Sequence, residues 1–174
     1  MESIEVVKKA VSERRPTPQH VFFAIFLASA AESGILTQGG VSLLARSAAP
    51  RLRDYMIAMG RELTGGAKGV EGVKRLVENL NETLMIADRV LVENSGDEVT
   101  VMIETGTCRY CPKGVGLAEV PGTLCPFPHL IRELARLEGI DAELVVERNR
   151  HRVEVLRKEG GWCRIRLRLR GEEQ

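Results

Sequence analysis

Aromatic residues are scarce: Phe, Trp and Tyr make up 4% of the 174 residues. Binding of single-stranded nucleic acid relies on aromatic faces for base stacking. None interleaves with the arginines of the basic run WCRIRLRLR near the end of the chain. Excess charge of one sign is also missing. The 25 Lys and Arg against 24 Asp and Glu leave a net charge of +1, so no global field recruits nucleic acid or an anionic membrane. Long hydrophobic runs are absent as well. The longest, VFFAIFLASAA from Val21 to Ala31, falls short of the roughly 20 residues that cross a bilayer and reads as a buried helix. The opening MESIEVVKKA mixes charges and has no apolar stretch of the secretory kind. The expectation is a cytoplasmic protein with no membrane role. Arg, Glu, Val and Leu are favoured over Gln, a bias of thermophile chains.

The motifs of several enzyme classes are missing too. LTGGAKGVEG, Leu63 to Gly72, has the glycines of a phosphate loop without its chemistry. A Walker loop needs Gly-Lys followed by Ser or Thr, whereas Lys68 precedes Gly69 and Val70 follows. It reads as a linker or helix-entry loop. Ser29, Ser33, Ser42 and Ser47 lack a nucleophile elbow. Neither His20 nor His151 has an acid or nucleophile beside it in sequence. No catalytic residue is assigned.

What is present divides by hydrophobic period. Glu2 to Arg14 predicts a helix ended by Pro16. Thr17 and Pro18 supply a cap and first residue for a second, running to about Ser33. Gly39-Gly40 reads as a loop. A third helix is expected from near Val41 to Gly60, interrupted or broken by Pro50, with Leu52, Tyr55, Met56 and Met59 as an apolar stripe. Val73, Leu76, Val77 and Leu80 have helical spacing. RVLVEN, a turn at Ser95-Gly96-Asp97, and EVTVMIE predict a β-hairpin. HLIRELARLEG predicts a helix closed by Gly139. AELVVER, HRVEVLRK and WCRIRLRLR predict a closing meander. The fold class is α+β: a helical N-terminal half packed on an antiparallel sheet, with a cysteine-rich loop. The expected organisation is one domain, with a helical segment at 1–62 and an α+β portion at 63–174. Arg164, Arg166, Arg168 and Arg170 share one strand face by the two-residue period. They read as a solvated row paired to Glu143, Glu147 or Glu154 on neighbouring strands.

Four cysteines carry the chemistry. TCRYCPKG holds Cys108 and Cys111 with two residues between them; Cys125 and Cys163 stand alone further on. In a reducing compartment such cysteines are metal ligands, reactive thiols or core fillers rather than disulfides. A two-residue gap lets two thiolates face one ion from a tight turn, and soft thiolates suit zinc or iron–sulfur centres. The expected site is a structural zinc at Cys108, Cys111, Cys125 and Cys163, iron–sulfur being the lesser alternative. Four thiolates leave no position open for water. His129 competes with Cys163 for the fourth place but follows Pro128 at a helix start. Two other readings stay open. A redox pair at Cys108/Cys111 would want a helix beginning at the motif, which Pro112 to Gly114 oppose. Cys163 as plain core filler would share a strand face with Ile165 and Leu167.

The stretches TLCPFPHLIRELARLEGIDAELVVE and GGWCRIRLRL, in the order hairpin, cysteine loop, helix, strands and final Cys-bearing strand, resemble the 4-vinyl reductase-like domain family over about residues 63 to 170. That family is related in fold to the TRAPP tethering subunits and to haem nitric-oxide sensor domains. The resemblance implies a hydrocarbon- or small-molecule-binding module with a metal at the clustered cysteines. The leading expectation is therefore a binding domain for a small apolar ligand. The helices around Val21 to Leu27 and Leu76 to Leu80 would enclose the pocket, and the zinc-held cysteine loop would form one wall. The alternatives are an oxidoreductase, with a cysteine-bound redox centre or a tetrapyrrole-like substrate, and a pure protein-interaction module. A homodimer through the helical half is expected from Phe22, Phe23, Phe26 and the stripe on the third helix.

Overall fold

The computed structural model describes residues 2–149 and 152–170; His151 lies outside the described residues. The fold is α+β, as the change of period implies. Among the described residues five helices, α1 (Glu2–Arg14), α2 (Pro18–Glu32), α3 (Gln38–Ala58), α4 (Gly69–Leu84) and α5 (Phe127–Leu137), accompany seven strands. These are β1 (Val90–Ser95), β2 (Glu98–Glu104), β3 (Ala142–Leu144), β4 (Glu147–Asn149), β5 (Arg152–Glu154), β6 (Arg157–Glu159) and β7 (Trp162–Leu169).

The helix ends follow their capping chemistry. Thr17 caps α2 as expected, and His20 takes the place usually held by Glu or Gln in a capping box, its ring accepting from the Thr17 N–H at 3.0 Å. α3 begins earlier than the apolar pattern suggests. The Thr37 hydroxyl accepts from the Gly40 N–H at 3.1 Å, so Gly39 and Gly40 form the first helical turn and not a loop. Pro50 does not break α3 either, which runs unbroken through it. Pro50 is exposed, so the Arg46 carbonyl that loses its partner can turn toward water. α5 ends in a Schellman motif: Gly139 at φ 73° donates to Arg136 O, and Ile140 donates to Ala135 O at 2.9 Å.

β7 is the centre of the sheet. It pairs along its full length with β2, which pairs with β1 through the hairpin turned at Gly96. Its other edge is shared, β6 facing Trp162 to Arg164 and β3 facing Leu167 to Leu169. That sharing corrects the meander. AELVVER and HRVEVLRK are each two short strands, and β4 and β5 pair only with each other. With the edge of β7 filled at both ends, the chain between β3 and β6 has no long ladder to join and turns back on itself.

Val99, Val101 and Ile103 of β2 alternate inward with Cys163, Ile165 and Leu167 of β7. They form one buried cluster with Val73, Leu76, Val77 and Leu80 of α4 and Ile131 and Leu134 of α5. α3 packs on α5 through Ala45, Ala49 and Met56. The α3 stripe therefore splits: Met56 is buried, while Tyr55 and Met59 are exposed.

The loop after β2 is pressed onto α2 at Gly116. A Cβ there would overlap the Ala24 carbonyl and approach Ala28 Cβ to 2.8 Å. Backbone cannot yield as a flexible side chain can. Gly116→Ala is expected to destabilise the fold by about 1–3 kcal/mol, the usual penalty for overpacking. Urea unfolding of the variant beside wild type measures it, and an unchanged midpoint would contradict the packing of this loop on α2.

Candidate functional site

The segment Thr105 to Gly116 leaves β2 as a chain of turns and is anchored at several points. Arg109 N–H donates to Ile86 O at 2.8 Å. The Tyr110 hydroxyl donates to Leu84 O at 3.0 Å. His20 Nε2 lies 3.0 Å from the same oxygen, and because its Nδ1 accepts from Thr17 N–H, Nε2 carries the proton and donates. The Tyr110 ring meets His20, Phe23 and Phe127 edge to face. From the side of α1, Arg14 Nη1 donates to the carbonyls of Thr105 at 2.6 Å and Cys108 at 2.7 Å.

All four cysteines line one cavity of about 210 Å³ beneath this loop. Cys108 and Cys163 are buried; Cys111 and Cys125 are half-buried; none forms a disulfide. The sheet register explains the meeting. Cys163 opens β7 opposite Ile103, and Thr105 N–H bonds Gly161 O at 2.9 Å, which ties the turn before β7 to the start of the loop. Cys125 arrives just ahead of α5. Gly114 N–H donates to Cys111 Sγ at 3.2 Å, the amide-to-sulfur contact that stabilises a thiolate. Arg14, Lys113 and Lys158 also line the cavity, and among the described residues no carboxylate does. The sulfurs surround the space without meeting at a point. Among the described residues no three His, Cys, Asp or Glu side chains stand close enough to share an ion as placed. The donor type and the surrounding charge fit a thiolate-bound zinc, although the four sulfurs as placed do not form a closed metal site.

The other sequence candidates fall elsewhere. His129 is buried on α5, with Nε2 3.4 Å from Gln38 Oε1, and it does not line the cysteine cavity. Burial, then the charge of Arg132, lowers its pKa. Cys111 to Gly116 is a run of turns rather than a helix start, the Cys111 carbonyl accepting from Val115 N–H at 2.8 Å. The arginine row is paired: Arg166 to Glu147 at 2.9 Å, Arg170 to Glu143 at 2.8 Å, and Arg168 to Glu98 at 2.6 Å. Glu98, not Glu154, completes the set, because the hairpin partner β2 and not β5 lies beside β7.

A second space lies on the far side of Tyr110. It is an open cleft of about 520 Å³ between α2, α3 and the start of α5, within the usual range of small-molecule sites. Its walls are apolar, with Phe23, Phe26, Leu44, Leu52, Phe127 and Leu130 among them. Sequence reasoning placed Leu76 to Leu80 in such a wall. Leu76, Val77 and Leu80 are buried in the core with the sheet instead, and among the described residues only Leu84 of α4 reaches the cleft. The α3 wall was missed, because residues such as Leu44 and Ala48 read as ordinary helix until α2 and α5 are placed against them.

A cysteine-lined cavity beside an apolar cleft, on an α+β scaffold, is the class of site this fold defines. The chain belongs to the MJ0207 family, which matches residues 34–169. It is also similar to "Uncharacterized protein MJ1342" of Methanocaldococcus jannaschii, with 33% identity over 73 residues, covering 41% of this chain and 61% of that protein. The chain thus spans less than two thirds of that relative's length. The family match overturns the resemblance to the 4-vinyl reductase-like domain, since it takes in nearly all of the residues on which that resemblance rested. The order of elements misled: hairpin, loop, helix and meander is a sequence of common units that different families share.

Burial raises the pKa of the thiols. Cys108 is pushed from the ordinary 9.0 to about 12, by burial first and then by the neighbouring Cys111. Cys163 rises to about 11 by burial, and Cys125 rises well above the ordinary value for the same reason. Folding therefore favours the neutral thiols. That stability is whole below the unfolded value of 9.0 and is lost as the pH climbs toward about 12. Metal-free protein is expected to melt at falling temperature from about pH 9 upward, with a shallower fall in Cys108→Ser. Melting followed by circular dichroism checks this; identical slopes for both proteins would contradict a buried neutral Cys108.

Proposed function

We propose that this chain is a binding domain for a small apolar molecule, stabilised by a structural zinc at Cys108, Cys111, Cys125 and Cys163. The apolar cleft carries the binding part of the reading. Exposed apolar walls around a preformed space of about 520 Å³ cost free energy in water that a ligand would recover. Convergence of the four cysteines on one cavity, ringed by Arg14, Lys113 and Lys158, supports the metal. A zinc ion with four thiolates carries net negative charge, which those cations offset. The zinc would be structural, closing the loop that presents Tyr110 to the cleft. Among the described residues no polar constellation suited to chemistry faces the cleft, which favours a binding role over a catalytic one.

Elemental analysis and mass spectrometry of small molecules released from native protein test both parts. One zinc per chain is expected. Cys163→Ser should lose it and lower Tm by about 10 °C or more, as loss of a structural metal does. His129→Ala should keep it. A His129 variant that loses zinc while Cys163→Ser retains it would reassign the fourth ligand, and metal-free wild type would end the zinc reading.

The same helices support a homodimer as partner. α2 is apolar on every side, yet Phe22 is 73% exposed and Phe26 62% exposed. A helix of that kind is normally covered all round, and a second copy of the same face is the commonest cover. Light scattering should give twice the chain mass at micromolar concentration. Phe22→Asp combined with Ile25→Asp should give the monomer, since neither residue lines the cleft. A monomeric wild type overturns this pairing.

A further inference from the structure

The cleft has one charged group. Among its lining residues Arg51 is the sole ionised side chain, and Ser47 and the Tyr110 hydroxyl are the other polar groups. The Tyr110 proton is committed to Leu84 O. Ser47 and Arg51 lie four residues apart on α3, hence on one side of the helix one above the other. Both line the cleft from the α3 side, and the rest of its described lining is apolar apart from Tyr110. Arg51 takes part in no ion pair or side-chain hydrogen bond among the described residues. Most arginines nearby are committed: Arg53 is held by Glu138 at 2.8 Å and Arg132 pairs with Glu133. Among the described residues no carboxylate lines the cleft to neutralise Arg51.

An unpaired guanidinium at the rim of an apolar cavity selects for a molecule of two parts. The planar fork of donors suits a carboxylate or phosphate, which it can grip through two parallel hydrogen bonds. The hydrocarbon walls suit a chain. We infer that the ligand is an amphiphile with an anionic head, carboxylate or phosphate, bound by Arg51 and Ser47, and an apolar tail laid between α2, α3 and α5. This rests on the reading of the cleft as a small-molecule site and specifies the chemistry of its occupant. The charge complementarity also separates this occupant from a second copy of the chain, whose exposed α2 face offers Phe22, Ile25 and Phe26, with its one carboxylate, Glu32, at the far end of the helix.

Calorimetric titration with decanoate, decyl phosphate and decanol, each below its aggregation limit, tests the inference. At least one anionic probe is expected to bind wild type about three- to tenfold more tightly than decanol, the margin of one charge-assisted contact at a part-exposed site. Arg51→Gln should erase that margin and leave decanol binding unchanged, while Arg51→Lys retains part of it. Whichever anion gains more identifies the head. Ala48→Trp, at an exposed position on the cleft wall, should block all three probes without burdening the core. Equal binding of all three probes, with Arg51→Gln silent, overturns the anionic head and leaves the apolar site standing. Binding of none of them overturns the site and the inference together. If in addition Ala48→Trp converts a dimer to a monomer, the cleft is a protein interface and both readings fall.

Discussion

The carbonyl oxygen of Leu84 is the point on which the site depends. It sits at the end of α4, where a helix leaves its last carbonyls without partners. Two donors from distant parts of the chain satisfy it: Tyr110 of the cysteine loop and His20 of α2. Each bond contributes about 1 kcal/mol net, but together they fix α2, α4 and the loop at one atom. Met85 then turns through the left-handed region at φ 51°, and its carbonyl accepts from Arg109 of the same loop. The two cavities share this wall. Tyr110 stands between Cys108 and Cys111 in sequence and faces the apolar cleft in space, so whatever orders the cysteines also sets one side of the cleft.

Electrostatics are divided cleanly across the molecule. On the sheet surface, arginines of β7 alternate with core residues and are matched by acids on β1, β2, β3 and β4. Such exposed pairs contribute little each, and their effect is to leave that face nearly neutral. Around the cysteines the balance is one-sided, with three cations and no acid among the described residues. A cluster of neutral thiols gains nothing from three cations, whereas thiolates bound to a metal do. That asymmetry is what favours the proposed metal over a group of core cysteines, and Arg14 adds to it by binding the loop carbonyls from α1.

The sequence by itself determined the elements whose signals are local. Thr17-Pro18, the hairpin turn at Gly96 and the Gly139 cap each act within a few residues, so the ends of α2, β1 and α5 were legible. Local signals misled where a competing local force outweighed them: the Thr37 cap drew Gly39 and Gly40 into α3, and α3 absorbed Pro50 on its solvent side. The spacing of the cysteines marked them as a candidate group. Their convergence on one cavity needed the sheet, because Cys163 reaches Cys108 only through the pairing of β7 with β2. Two further features were decided by tertiary structure alone. One is the breaking of the last strands into β3 to β6, which follows from two strands competing for one edge of β7. The other is the cleft, whose walls come from four helices and a loop that share no motif. A cavity is a relation between surfaces distant in sequence, and no local period records it.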